Sequence, residues 1–502
     1  MVQKGVLMLF NSFEFLIFFP SVTLLYFVLP HRHRWLMLLL ASCLFYMAFI
    51  PVYILILLIT ILIDYFAGIY IEESEGARRK TFLVISIIST CAVLFVFKYF
   101  NFFNANFSAL AGFLHWNYPV NTLSLILPIG LSFHTFQSLS YVMEVYNRRQ
   151  KVERNFGIYA LYVMFYPQLV AGPIERPQNL LHQFYEEHAF DYRRVTDGLK
   201  LMAWGLFKKV VIADRLAVFV NAVYDKPTEY QGVSLIVATV FFSFQIYCDF
   251  SGYSDIAIGA AQVMGFKLMD NFNRPYFSKS IAEFWKRWHI SLSTWFKDYL
   301  YIPMGGNRVP VPRWYLNLFI TFLVSGLWHG ANWTYIVWGA LHGTYLVVGI
   351  VTADVRQRVV SVIGLNKWPK VHKYSRVLLT FALVTFAWIF FRAKNIQDAG
   401  YIATHLFSGI KEFVMSFFAG QQQFGEGKFG PITLHQPKEE LFLAVASIIF
   451  MEWVHSIQRH GKIRQMLSEK PGFVRWSVYF SLVYGIFFLG VSGKTQFIYF
   501  QF

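Results

Sequence analysis

Long apolar segments alternate with short polar ones along the whole chain. Each apolar segment has roughly the 17 to 25 residues that a helix needs to cross ~30 Å of hydrocarbon. The pattern predicts membrane spans at about 9–30, 35–50, 52–71, 81–98, 122–145, 233–250, 316–337, 338–351, 377–391, 440–457 and 474–494. We therefore expect an all-α polytopic membrane protein with roughly ten to twelve transmembrane helices.

Three regions interrupt this pattern. Residues 99–120 are aromatic but broken by Asn and Gly, which predicts an interfacial or re-entrant piece. The stretch 166–215 is too charged for simple spans and predicts short helices at the cytoplasmic surface. Residues 251–310 are polar, aromatic and rich in Gly, and irregular backbone at membrane depth is tolerated only where it is buried or lines a cavity. The region 251–310 therefore predicts a cavity. Separately, we expect the Gly- and Gln-containing loop before residue 440 to lie outside the cytoplasm.

Composition supports a membrane protein. Only 14% of the 502 residues are charged and 56% are hydrophobic, whereas soluble domains have about 25% charged residues. The formal net charge is +16, but Lys and Arg cluster in short loops such as 148–154 and 356–376. This distribution is typical of cytoplasmic loops beside anionic lipid, and nucleic acid is not expected as a partner. We expect one membrane-embedded domain, 1–502, with N-terminal spans in 1–150, a motif-bearing catalytic core in 151–350 and C-terminal spans in 351–502.

His329 is the strongest candidate for chemistry, because it lies inside the apolar stretch 316–337. Hydrocarbon makes an ionisable side chain costly, so such a residue is a functional-site hypothesis by default. Its small neighbours would let a backbone or a substrate approach: Ser325, Gly326, Gly330 and Ala331. A buried neutral imidazole suits a general base. The alternative is a histidine that only forms a hydrogen bond between helices.

A second histidine, His289, follows a helix-start signal. Ser280 and Glu283 match the S-x-x-E capping box. One helix to about residue 301 would then carry a broad face made of Trp285, Trp288, His289, Leu292, Trp295 and Tyr299. Interfacial anchoring by the tryptophans is the alternative explanation of this face. His342 is a weaker candidate that suits an interfacial position.

Other polar residues in apolar surroundings are candidates for a substrate or tunnel lining. We assign this role to Trp285, Trp288, Ser291, Asp298, Asn332, Asp249 and Gln137. The run 249–255 is consistent with a carboxylate that orients a histidine or lines the tunnel. It is also consistent with a helix break whose carboxylates cap the next helix. The chain has no Walker-type loop, dinucleotide fingerprint, G-x-S-x-G elbow or zinc-ligand spacing, so we expect no permanently bound cofactor and no metal site.

The long histidine motif at 283–308, EFWKRWHISLSTWFKDYLYIPMGGNR, resembles the signature of the membrane-bound O-acyltransferase (MBOAT) family, and is closest to its bacterial alginate O-acetylase branch. Further passages agree along most of the chain: LPIGLSFHTFQSLSYVMEVY, FYPQLVAGPIERP, GLFKKVVIADRLA, CDFSGYSDIAIGAAQVMGF and SGLWHGANWTYIVWGALHG. One departure is His134, at a position where the family leads us to expect an aromatic residue.

The resemblance implies a helical membrane fold around a central funnel, with His329 as the essential catalytic histidine and His289 as its partner near the neck. It also implies a multi-pass protein of the bacterial inner membrane. The donor would be acetyl-CoA or an acyl carrier on the cytoplasmic side. The acceptor would be an extracytoplasmic polysaccharide, alginate-like or another envelope glycan, reached with the help of a periplasmic acetyltransferase. Related branches instead act on teichoic acids, peptidoglycan, proteins or lipids.

The mechanistic hypothesis is that neutral His329 takes the proton of an acceptor hydroxyl as the hydroxyl attacks the donor thioester. His289, or donors near it such as Trp288 and Ser291, would hold the pocket or stabilise the oxyanion. A transporter or flippase for a glycan or lipid intermediate is the rival hypothesis, since midplane polar residues and broken helices also suit transport. A membrane scaffold of a secretion complex is the third, and it predicts that both histidines are replaceable.

Overall fold

The computed structural model describes residues 8–419, 430–491 and 497–498, and the regular structure in these ranges is helical throughout. The predicted Gly- and Gln-containing loop before residue 440 falls largely outside them. The α-helices are α1 Phe13–Val28, α2 His31–Met47, α3 Ile54–Glu73, α4 Gly76–Leu94, α5 Phe100–Phe113, α6 Leu131–Tyr146, α7 Phe156–Met164, α8 Pro177–Leu180, α9 Tyr192–Leu206, α10 Asp214–Tyr224, α11 Val233–Met264, α12 Ile281–Trp285, α13 Ile290–Phe296, α14 Val311–His329, α15 Trp333–Val351, α16 Ala353–Val362, α17 Pro369–Arg392, α18 Ile396–His405, α19 Ile410–Ala419, α20 Gly430–Thr433, α21 Lys438–Gln458, α22 Ile463–Ser468 and α23 Gly472–Leu489.

The predicted all-α polytopic fold is confirmed. Seven helices in the described ranges are long and apolar enough to cross a membrane: Pro51–Glu73, Gly76–Phe113, Val233–Met264, Trp333–Val351, Pro369–Arg392, Lys438–Gln458 and Gly472–Leu489. This number is below the ten to twelve that the sequence predicts. The apolar stretches near 9–30, 35–50 and 122–145 form helices of only 16, 17 and 16 residues, which explains most of the difference.

Within 99–120, the prediction of a broken, re-entrant piece is wrong for most of the length. α4 continues through a π-helical turn, Phe95–Tyr99, into α5, which ends at Phe113. The asparagines do not break this helix, because their amides bond to backbone groups. Asn101 donates to the carbonyl of Leu123 and accepts its N–H, both at 2.8 Å. The next helix, α6, starts only after Gly130, whose φ of +76° is a left-handed conformation suited to glycine.

The predicted helix break at 249–255 is also wrong. α11 runs without interruption for 32 residues. The Asp249 carboxylate is held by a lysine and a distant backbone N–H, described below, so it does not cap a helix start. Irregular backbone begins only beyond Met264, where Gly265 has a φ of +111°.

Two compact units make up the described chain. The first contains 8–202 and 253–270, and the second contains 203–252, 271–419, 430–491 and 497–498. The first unit joins its helices through buried polar contacts. Asp64 of α3 is fully buried and accepts hydrogen bonds from the hydroxyls of Ser86 (2.6 Å) and Thr90 (3.1 Å) of α4. His134 of α6 lies 3.0 Å from the Thr60 hydroxyl of α3. The departure from the family pattern at position 134 therefore forms a contact between helices of this unit.

Five charged residues of the 166–215 stretch are buried, whereas Glu186, Glu187, Asp191 and Arg193 are exposed. In the first unit Glu175 is 0% exposed and accepts the N–H of Met269. Burial raises the pKa of Glu175 to about 7. In the second unit Lys209, Asp214 and Arg215 are at most 5% exposed. A buried charge requires a partner, and the charges of this stretch bond to one another and to other helices.

α14 and α15 pack against each other closely in the second unit because glycines line their contact. A Cβ at Gly326 would lie 2.2 Å from the carbonyl oxygen of Tyr335, and one at Gly339 would lie 2.3 Å from that of Phe322. Small residues let helix backbones approach in this way in membrane proteins. The hairpin fixes the position of His329, the last residue of α14.

We predict that Gly326→Ala destabilises the protein. The added methyl group overlaps the Tyr335 carbonyl, and overpacking of this kind costs about 1–3 kcal/mol. Gly349→Ala on α15 is the matched control, because a Cβ there would meet no described atom within 4 Å. Thermal unfolding in detergent micelles should show a lower midpoint for Gly326→Ala and an equal or higher one for Gly349→Ala. Equal midpoints for all three proteins would contradict the close packing of this hairpin.

Candidate active site

The motif that contains His289 forms two short helices with a sharp break between them. Half of the predicted capping box is present at its start: the Ser280 hydroxyl accepts the N–H of Glu283, but the Glu283 carboxylate accepts the N–H of Lys279 and not that of Ser280. The single helix predicted to about residue 301 is wrong, because α12 ends at Trp285. His289 itself adopts a left-handed conformation (φ 43°, ψ 57°) and precedes α13. Such a conformation is costly for a residue with a side chain and persists where the surroundings enforce it.

Asn271 holds the backbone after this break. Its carbonyl accepts the N–H of Ile290 at 3.0 Å. Its side-chain oxygen accepts both the N–H of Ser291 (3.2 Å) and the hydroxyl of Ser291 (2.7 Å). The first turn of α13 thus receives its acceptors from a residue 19 to 20 positions upstream. This arrangement places the imidazole of His289 at 0% exposure, with its ring 4.6 Å from that of Phe250.

His329 lies at the C-terminal end of α14 and not in the middle of a span, because the apolar stretch 316–337 is divided between two helices. Gly330 follows in an extended conformation and α15 begins at Trp333. Glycine is required here by space, since a Cβ at 330 would lie 2.1 Å from the ring of Tyr335. The His329 side chain is 5% exposed and contacts the rings of Trp328, Trp338 and Phe391.

The two histidines pack against the same indole. The centre of the Trp328 ring lies 4.9 Å from that of His329 and 6.3 Å from that of His289. Burial lowers the pKa of His289 to about 3, so this imidazole is neutral at neutral pH. Two buried imidazoles, 40 positions apart in sequence, therefore contact the same tryptophan ring in the second unit.

An aromatic cluster surrounds His329, and Trp338 lies at its centre. The Trp338 ring is 5.0 Å from His329, 5.0 Å from His342 and 5.8 Å from Trp388. His342 is fully buried, and its Nδ1 accepts the indole N–H of Trp285 at 3.2 Å. The interfacial position suggested for His342 is therefore wrong.

The other candidate residues of the motif regions lie in different surroundings. Trp285 and Trp288 are buried in the aromatic cluster, where Trp288 is 5.1 Å from Trp388. Ser291 is buried and bonded to Asn271. Asp298 is half-buried in the π-helical turn Lys297–Tyr301. Asn332 caps α15 by accepting the N–H of Thr334, and its amide donates to the carbonyl of Lys394.

Two more candidates lie in polar networks of their own. Asp249 is buried in the second unit, 2.6 Å from the ammonium of Lys209, and it accepts the N–H of Ile498 at 2.7 Å. The same ammonium lies 2.9 Å from Asp214. Gln137 belongs to the first unit, where its amide donates to the carbonyl of Tyr162. These partners of the Asp249 carboxylate and of the Gln137 amide include no histidine.

Sequence reasoning missed several residues of this region. Asn271 precedes the motif and gives no signal of its own, because its role depends on backbone groups that the fold brings to it. Trp388 sits in an apolar span and was indistinguishable from a lipid-facing or core aromatic residue. His342 did give a signal, as a histidine in an apolar span. The buried rings around Trp338, which His342 contacts, distinguish His342 from an interfacial residue.

Comparison with known proteins identifies the family. The model of the membrane-bound O-acyltransferase family matches residues 150–393. The chain is also 39% identical over 406 residues to the probable alginate O-acetylase of Pseudomonas aeruginosa, an alignment that covers 80% of this chain and 75% of that relative. The chain belongs to the membrane-bound O-acyltransferase family. The segment matched by the family model contains His289, His329, His342 and Trp388.

Two further relatives show the range of the membrane-bound O-acyltransferases similar to this chain. The peptidoglycan O-acetyltransferase of Helicobacter pylori is 37% identical over 433 residues, which is 79% of each chain. The teichoic acid D-alanyltransferase of Bacillus subtilis is 26% identical over 287 residues, covering 54% of this chain and 70% of that relative. The prediction that the chain is an enzyme, an O-acyltransferase, is confirmed. Membership of this family favours acyl transfer over the transporter and scaffold hypotheses.

Proposed function

We propose that this O-acyltransferase moves an acetyl group from a cytoplasmic thioester, acetyl-CoA, to hydroxyl groups of an extracytoplasmic polysaccharide. The names of two relatives, at 39% and 37% identity, describe transfer of an acetyl group, whereas D-alanine is named for one at 26%. The acceptors named for the acetylating relatives, alginate and peptidoglycan, are both envelope glycans. Because the proposed donor lies in the cytoplasm and the proposed acceptor outside it, we place the protein in the bacterial inner membrane.

The observation that carries this proposal is the pair of buried histidines on the Trp328 indole. Deprotonation of an alcohol needs a neutral base that water does not compete with. His329 is 5% exposed and surrounded by aromatic rings, so bulk water has little access to its nitrogens. A base of this type contributes ~10² to 10⁴-fold to a rate.

In the proposed reaction, His329 of this chain carries out both proton transfers. His329 takes the proton of the acceptor hydroxyl as the hydroxyl oxygen forms a bond to the carbonyl carbon of the thioester. The tetrahedral intermediate collapses, the carbon–sulfur bond breaks, and the thiolate leaves. The imidazolium then returns its proton to the thiolate, which gives free coenzyme A and an O-acetyl ester. His289, which contacts the same Trp328 ring, keeps the pocket in shape.

The remaining candidates have supporting roles in this proposal. Trp285 and Trp288 form the wall of the donor channel, and a water-poor channel protects the thioester from hydrolysis. Ser291, Asp298, Asn332, Asp249 and Gln137 remain candidate lining residues. Basic loops such as 356–376 attract the phosphates of coenzyme A by charge. A periplasmic acetyltransferase is the expected partner that completes delivery to the polysaccharide, and no permanently bound cofactor is expected.

Turnover of labelled donor tests the proposal. The purified protein in liposomes is incubated with radiolabelled acetyl-CoA and an oligosaccharide acceptor, and both free coenzyme A and labelled ester are measured. We expect donor-dependent release of coenzyme A with label in an alkali-labile ester. D-Alanyl carrier protein is the control donor. Turnover of that donor instead, or of neither donor, would refute the acetyltransferase assignment.

A further inference from the structure

Three buried N–H groups lie in the aromatic cluster around His329 without an acceptor. They are the indole N–H groups of Trp338 and Trp388 and the Nε2 of His342, none of which has a hydrogen-bond partner among the described residues. All three side chains are 0% exposed. Buried donors in native proteins are almost always paired, so three adjacent unpaired ones need an explanation.

The tautomer of His342 makes its Nε2 a donor. Nδ1 accepts the indole N–H of Trp285 at 3.2 Å, so Nδ1 carries no proton. An imidazole with one bare nitrogen is neutral and holds its proton on the other one. His342 therefore presents an Nε2–H group, and Trp285 acts on it as a positioning residue.

The three donors share one location. Trp338 contacts the other two members and His329: its ring centre is 5.0 Å from His342, 5.8 Å from Trp388 and 5.0 Å from His329. The indoles of Trp338 and Trp388 are nearly parallel, with 19° between their planes. The three side chains therefore form one cluster, and Trp338 connects this cluster to His329.

Of the two donors first expected for an oxyanion, the Ser291 hydroxyl already has an acceptor and the Trp288 ring is stacked on a phenylalanine. The Ser291 hydroxyl donates to Asn271 at 2.7 Å, so it is not available to a ligand in this conformation. The Trp288 indole is stacked on Phe284, with ring centres 5.5 Å apart, on the side of the cluster that faces Trp388. The acceptor-free donors lie instead around Trp338.

We infer that Trp338, Trp388 and His342 donate hydrogen bonds to the acyl carbonyl oxygen of the bound thioester. This inference rests on the proposed function and names the residues that would bind the reacting oxygen. A carbonyl oxygen has two lone pairs, and the oxyanion of the tetrahedral intermediate has three. A three-donor site therefore binds the oxyanion better than the ground-state carbonyl, which is how a donor site accelerates the reaction.

Removal of a single indole N–H tests the inference. Trp388→Phe and Trp338→Phe should each lower kcat by on the order of 10² to 10³-fold, as loss of one oxyanion donor does elsewhere. KM for acetyl-CoA should change little. Benzothienylalanine at position 388 provides a variant that keeps the shape of the indole and lacks the N–H, so a fall in kcat with that residue excludes a packing defect. Trp314→Phe is the matched control, because its N–H already donates to the hydroxyl of Tyr301 at 2.8 Å.

A spectroscopic measurement reports on the hydrogen bonds directly. Acetyl-CoA labelled with carbon-13 at the carbonyl is bound to His329→Ala protein, which does not consume it, and the carbonyl stretch is followed by infrared difference spectroscopy. We expect a band at lower frequency than in an apolar solvent, and a shift back to higher frequency when Trp388→Phe is added. A purely structural role of Trp388 would leave the band in place.

The outcomes separate this inference from the proposed function. If the wild-type protein turns over acetyl-CoA while benzothienylalanine at 388 and Trp338→Phe preserve kcat and the carbonyl band, the donor assignment is wrong and the function stands. If the wild-type protein does not turn over acetyl-CoA at all, the proposed function fails. A fall in kcat together with the band shift supports both.

Discussion

His329→Ala should abolish acetyl transfer and leave the protein folded in the membrane. Without this imidazole the acceptor hydroxyl loses the proposed general base that takes its proton as it attacks, and the loss of a general base costs ~10² to 10⁴-fold in rate. The side chain is 5% exposed and packs on three aromatic rings, so the substitution also leaves a small cavity. The loss is measured as the ratio of the initial rates of labelled ester formation by the wild-type protein and by His329→Ala, in liposomes with equal amounts of protein.

His455→Ala controls for the cavity. His455 lies in the same unit, is 4% exposed, and has its Nε2 3.1 Å from the hydroxyl of Tyr247. The His455→Ala variant should lose about as much stability as His329→Ala and should still transfer acetyl groups. Wild-type rates in His329→Ala, or an equal loss of rate in both variants, would remove His329 from the role of general base.

The sequence predicted the chemistry of this site better than its geometry. His329 and His289 stand out because ionisable residues in apolar surroundings are costly, and this argument needs no coordinates. The break at His289 was not predicted, because the aromatic residues from Trp285 to Tyr299 fit one helical face by spacing. What enforces the break is Asn271, whose carbonyl and side chain take the N–H groups of Ile290 and Ser291. A contact between distant segments cannot be deduced from local periodicity.

Contacts between distant segments also explain why the predicted surroundings of the charged residues were wrong. Hydropathy predicted where helices lie, but lone charges such as Lys209 and Arg215 suggested a water-exposed surface. In the structure these charges are buried because oppositely charged groups of other helices meet them, Asp249 for Lys209 and Glu440 for Arg215. Those partners are 40 and 225 positions away in the chain. The pattern of single residues along the chain therefore does not show which charged residues of different helices form ion pairs.

Lys209→Met should be among the most destabilising substitutions in the second unit. The ammonium lies 2.6 Å from Asp249 and 2.9 Å from Asp214, and the three side chains are 1%, 3% and 2% exposed. Removing the cation leaves two buried carboxylates without their counter-charge, and breaking a buried ion pair costs about 3–5 kcal/mol. Cys248, also buried, provides the measurement: in a background with Cys43→Ser and Cys91→Ser, a thiol-reactive dye labels it only as the protein unfolds.

Lys226→Met is the matched control, because this lysine pairs with Glu229 at the surface, where both side chains are more than half exposed. Such a pair contributes roughly 0–1 kcal/mol, so its unfolding midpoint should stay near that of the parent protein. The triple variant Lys209→Met, Asp214→Asn, Asp249→Asn should regain part of the loss, since it leaves no buried charge uncompensated.

The pH dependence gives a further check on the same cluster. Burial by itself lowers the pKa of Lys209, but the carboxylates of Asp249 and Asp214 outweigh it and hold the pKa above its ordinary value of 10.5. The stability from this ion pair is therefore fully present below pH 10.5 and lost as the pH rises through the higher pKa of the folded state. The parent protein should lose stability at strongly alkaline pH by more than Lys209→Met does. A parallel decline of the two proteins would show that Lys209 is not the buried cation of this cluster.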